Sequence, residues 1–72
     1  MIMLAVFRSR REAIEFARIM SRFRVRVTVV NTPGKIGIPC GLSVKFPQRA
    51  LSVAERVLGG NDFFGFKGFY SV

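Results

Sequence analysis

The chain has 72 residues, 50% of them hydrophobic, with 8 phenylalanines, 1 cysteine and no histidine; this suits one small packed domain over residues 1–72 and excludes a disordered basic tail. One cysteine excludes an intrachain disulfide framework, and the lack of histidine excludes a Cys-His nucleophile, a Ser-His-Asp triad and a structural zinc cluster within the chain. The net charge of +8, set by arginines and lysines against only Glu12, Glu15, Glu55 and Asp62, favours anionic partners, although a solvated arginine-rich surface accounts for it equally well.

Ile2 to Phe7 reads as a short buried strand, because the apolar run is unbroken until Arg8-Ser9-Arg10-Arg11. The run is too short to span a bilayer, and its cations follow it where a signal peptide needs them ahead of it, so we expect no membrane segment; the lone cysteine makes a cytoplasmic setting the default expectation. Ser9 and Glu12 form a capping box: the hydroxyl accepts from a first-turn amide and the carboxylate reaches back to the amide of Ser9. In the helix that follows, Ala13, Phe16, Ala17, Met20 and Phe23 share one face, and Arg11, Glu15, Arg18 and Arg22 the opposite one.

Arg24 to Val30 alternates, with Val25, Val27 and Val29 facing a core and Arg24, Arg26 and Thr28 facing water. The stretch Asn31 to Leu42 carries Pro33, Gly34, Gly37, Pro39 and Gly41 around the lone cysteine, Cys40, and reads as a turn-rich loop that delivers this thiol to the start of a strand. Leu42, Val44 and Phe46 then alternate as buried residues with Ser43 and Lys45, which we expect to be exposed. Pro47 opens a second helix whose apolar face is Ala50, Leu51, Val53, Ala54, Val57 and Leu58, and Gly59-Gly60 supplies a left-handed cap. Phe63 to Val72 reads as a closing strand with a bulge or bend at its glycines.

The order β-α-β-β-α-β predicts a ferredoxin-like split βαβ sandwich, an α+β domain with a four-stranded antiparallel sheet and two helices on one face. On the open face we expect Arg24, Arg26, Lys45 and Lys67 together with Met3, Ala5 and Phe7.

Cys40 is the one nucleophilic thiol. Read as structure, it is a small buried hydrophobe at the core edge. Read as chemistry, it lies between Pro39 and Gly41 with Lys35 nearby and no acid close in sequence, a setting that favours thiolate over a thiol of ordinary pKa about 8.5. Gly41 leaves room for a partner to approach the sulfur.

The short first strand, the Ser-capped helix at Arg10-Arg11-Glu12-Ala13, the valine strand ending in Thr32-Pro33, then Lys35-Ile36 and Cys40-Gly41-Leu42-Ser43-Val44, together resemble the selenium/sulfur carrier protein-like family over essentially the whole chain. The family signature has its counterparts here in Pro33, Lys35-Ile36 and Cys40-Gly41. The resemblance implies a thiol-based sulfur or selenium carrier or accessory protein. In it Cys40 accepts a persulfide from a donor protein and passes it to an acceptor, with Lys35 and loop amides, Gly41 among them, stabilising the anionic sulfur. No cofactor is implied.

Two other readings remain open from the residues. Lys67-Gly68-Phe69-Tyr70 resembles the basic-Gly-aromatic core of RNA-recognition domains, which makes Arg24, Arg26, Lys45, Lys67, Phe7 and Phe69 a candidate nucleic-acid or partner face. The same face is also a candidate homodimer or adaptor surface, with an apolar centre and a charged rim.

Overall fold

The computed structural model describes residues 1–37 and 41–71. In chain order they form β1 (Ile2–Phe7), α1 (Arg10–Arg22), β2 (Thr28–Asn31), a 3₁₀ turn (Gly34–Ile36), β3 (Leu42–Pro47), a second 3₁₀ turn (Gln48–Ala50), α2 (Leu51–Gly59) and β4 (Phe66–Ser71). The strands make one sheet in the order β2-β3-β1-β4, with each neighbouring pair antiparallel. This is the ferredoxin-like α+β fold.

The core lies between sheet and helices. From β1 it takes Met3, Ala5 and Phe7; from α1 Ala13, Phe16, Ala17 and Met20; from β3 Val44 and Phe46; and from the second half Ala50, Ala54 and Val57. Met3, Ala5 and Phe7 therefore point at the helices, and their expected place on the open face is overturned. Leu4 and Val6 take the other face, yet they are only 2% and 0% exposed. The reason is topological: β1 is hydrogen-bonded on both sides, so all its residues are apolar and alternation carries no phase information.

The second strand is shorter than its valine alternation predicts. The N–H of Arg24 donates to Ser21 O at 2.9 Å and that of Val25 to Met20 O at 3.4 Å, with Arg24 at φ 62°. These are the bonds of a Schellman motif, so the end of α1 consumes residues 23–25 before the sheet can use them. Phe23 becomes the helix cap and is half exposed, outside the apolar face assigned to it. Val25 and Val27 still pack against the core from outside the strand.

The capping box is half formed. Ser9 Oγ accepts from the Glu12 N–H at 3.2 Å, but the Glu12 carboxylate accepts from the N–H of Gly65 at 2.7 Å and not from Ser9. Arg8 N–H donates to Gly65 O at 2.8 Å, so the N–H and the C=O of Gly65, in the turn before β4, are held by α1 and by the link that precedes it. Glu15 pairs with Arg18, as expected for the polar face. At the end of α2, Gly60 has φ −98° rather than the expected left-handed value; the Asn61 side chain caps Val57 O at 2.9 Å. In β4 the expected bulge is present, where the partners of Val6 and Phe7 are Gly68 and Phe66 and Lys67 is left over. Gly68 sits at φ 120°, a conformation reserved for glycine.

Two substitutions check this account. Arg24→Gly raises the unfolding free energy by about 0.5–1 kcal/mol, because a left-handed side-chain-bearing residue costs about 1–2 kcal/mol and glycine's extra unfolded entropy returns part of it. Glu12→Ala lowers it by about 1–2 kcal/mol through the orphaned Gly65 amide. Urea midpoints at constant slope read both.

Candidate functional site

β2 and β3 form a hairpin that ends at the pair Asn31↔Leu42. One step further out, the Thr32 N–H donates to Gly41 O at 3.2 Å, which closes the connecting loop at its base. Ser43, expected from its alternation to be exposed, is fully buried; its hydroxyl is hydrogen-bonded to that of Thr32 at 2.9 Å, which satisfies a polar group that burial would otherwise penalise. Beyond Thr32 the chain turns over Gly34–Ile36, with Ile36 N–H on Pro33 O at 3.1 Å and Gly37 N–H on Gly34 O at 3.0 Å. Lys35 lies in this turn and is exposed. Cys40, with Ile38 and Pro39, lies outside the described residues.

Gly41 is in the site for a reason the sequence does not carry. A Cβ there would stand 2.6 Å from the carbonyl oxygen of Phe7 and 3.0 Å from Thr32 Oγ1. Backbone must press on backbone at this point, and only glycine permits it. Gly41 thus fixes the base of the loop against the end of β1.

One residue beside the loop escapes sequence reasoning. Arg10, the first residue of α1, lines a recess of about 280 Å³ with Asn31, Gly41 and Leu42. Lys35 does not line it. The only sequence signal for Arg10 is its place just after the Ser9 cap, at the positive end of a helix that the topology sets beside the β2–β3 hairpin.

A family model described as “Putative Se/S carrier protein-like” matches residues 3–71, from β1 to the end of β4. The chain belongs to this family. No curated protein and no solved structure matches it significantly. In this Se/S carrier-like chain, the Cys-Gly step that carries the resemblance meets the described structure at Gly41, where the hairpin is anchored.

The remaining sequence-predicted residues do not gather into one face. Phe7 is fully buried, with ring centroids 5.2 Å from Phe16, 5.6 Å from Phe63 and 5.4 Å from Phe66. Phe69 faces the same core, 5.9 Å from Phe46 and 5.0 Å from Phe66. Neither ring can stack a base on the open face, which overturns their assignment to a nucleic-acid surface. The register explains it: Phe69 pairs with Ala5, and both point at the helices. Arg24, Arg26, Lys45 and Lys67 are all exposed, but Arg24 sits in the helix cap and Lys67 in the bulge of β4, the edge opposite β2. Of these four, Arg26 and Lys45 line a common recess. Among the described residues, no three acids or thiols are grouped as metal ligands, and no helix is long and apolar enough to cross a membrane.

Gly41→Ala lowers stability by about 1–3 kcal/mol, the usual cost of forcing atoms into a filled site. Hydrogen exchange at the Thr32 amide quickens by more than that at the buried amides of β1, which locates the damage at the loop base.

Proposed function

We propose that this protein carries sulfur or selenium as a persulfide or its selenium counterpart on Cys40. The observation that supports it is the family match over residues 3–71, joined to the position of the chain's one cysteine next to Gly41 in sequence. A carrier thiol must be presented from a firm base, and the Thr32–Gly41 bond and the Phe7–Gly41 approach supply one.

The step is a redox-neutral exchange. The Cys40 thiolate attacks the terminal sulfur of a donor protein's persulfide; a new S–S bond forms at Cys40, the donor's own S–S bond breaks, and the donor cysteine leaves as thiolate. Passing the sulfur on repeats the exchange with an acceptor thiol. The sulfur moves at the sulfane level, while Cys40 bears negative charge first as the attacking thiolate and then as the persulfide, so cations near the loop favour both. Arg10 at the Gly41 recess and Lys35 in the turn are the cations this reading would use. A reducing cytoplasm suits a carrier that relies on a free thiol.

Intact mass after incubation with a cysteine desulfurase and cysteine tests the reading. The expected result is a gain of one sulfur that a thiol reductant removes and that Cys40→Ser abolishes. Arg10→Ala and Lys35→Ala each slow loading about 2- to 5-fold, in line with under 1 kcal/mol for a partly exposed charge interaction. A gain of equal size in Cys40→Ser overturns the assignment.

A further inference from the structure

At the other end of β3 from the cysteine loop lies a recess of about 460 Å³ lined by Ile2, Arg26, Thr28, Lys45, Pro47 and Arg49, with the buried Phe46 behind them. Its three cations come from three separate places: the link between α1 and β2, the middle of β3, and the 3₁₀ turn after it. Thr28 and Lys45 are register partners, as are Ile2 and Pro47, so the sheet itself fixes the floor. The wall that bears Arg49 is tied down where the Gln48 N–H donates to Met1 O at 3.0 Å.

None of the four acids lines this recess. Glu12 is engaged by Gly65 and Glu15 by Arg18. Three like charges around one hollow repel each other unless an anion joins them. A phosphoryl group, with close to two negative charges and three acceptor oxygens, matches Arg and Lys donors better than a single carboxylate does. Ile2, 40% exposed, and Pro47 add an apolar wall, and the volume falls within the range of about 300–1,000 Å³ usual for small-molecule sites.

We propose that this recess binds a small organic phosphate of nucleoside di- or triphosphate size through Arg26, Lys45 and Arg49. A single-stranded RNA is the poorer fit. Phe7, Phe46, Phe66 and Phe69 all face the helix-side core, and Tyr70, on the open face, belongs to β4, beyond β1 from the recess. Its nearest lining residue on β3, Lys45, is three residues from the hairpin end at Leu42, about 10 Å at about 3.4 Å per residue, and the site does not depend on the carrier reading.

Amide chemical-shift titration of the full chain carrying Cys40→Ser, at low salt, tests it with ATP, pyrophosphate, sulfate and a short single-stranded RNA. The expected result is saturable shifts with ATP or pyrophosphate centred on Thr28, Lys45, Phe46 and Gln48. Affinity falls at least 10-fold in Lys45→Ala and in Arg49→Ala, whose spectra report directly that the fold is intact. Sulfate binding as tightly as pyrophosphate, shifts spread over all basic surfaces, or RNA binding tighter than ATP with a footprint reaching β4 would each overturn the proposal, as would no saturable shift at millimolar ligand.

Discussion

The ring of Phe7 and its carbonyl oxygen together hold the two halves of this domain in place. The ring touches Phe16 of α1, Phe63 before β4 and Phe66 within β4, while the carbonyl oxygen backs onto Gly41 at the base of the hairpin loop. One residue at the end of β1 thus connects the first helix, the last strand and the segment that carries the thiol. A small domain has little core to spare, and here much of it is aromatic area gathered around this point.

Features set by nearest neighbours are readable from the chain: the Ser9 cap, the buried face of α1 at Ala13, Phe16, Ala17 and Met20, the alternation of Leu42, Val44 and Phe46, and hence the β-α-β-β-α-β order. Features set by partners distant in sequence are not. The phase of β1 depends on strands β3 and β4, since Leu4 and Val6 are as apolar as Met3 and Ala5. The fate of the Glu12 carboxylate depends on a glycine 53 positions away. Arg24 breaks the valine alternation because a helix end, not a strand, claims its backbone, and no residue type announces a left-handed arginine.

The candidate site divides in the same way. Cys40, Gly41 and Lys35 are visible as a composition of nucleophile, small residue and cation, and the family match spans them. The structural duty of Gly41 against Phe7, and the approach of Arg10 to the loop base, arise only when α1 and the hairpin are brought side by side. The basic surface likewise resolves into parts. Arg26, Lys45 and Arg49 converge at one end of the sheet, Arg10 stands at the other, and Lys67 lies on the far edge.

The central position of β1 also bears on how the protein is made. Its two sheet neighbours, β3 and β4, follow it in the chain by the length of α1 and more, so during synthesis an apolar hexapeptide waits without either hydrogen-bonding partner. Such unpaired strands are the segments that recruit other chains. Relief comes first from α1, which follows at once and offers the face of Phe16 and Met20 to one side of the strand. The cluster Arg8-Ser9-Arg10-Arg11, directly after the hexapeptide, places positive charge where two nascent copies would otherwise adhere.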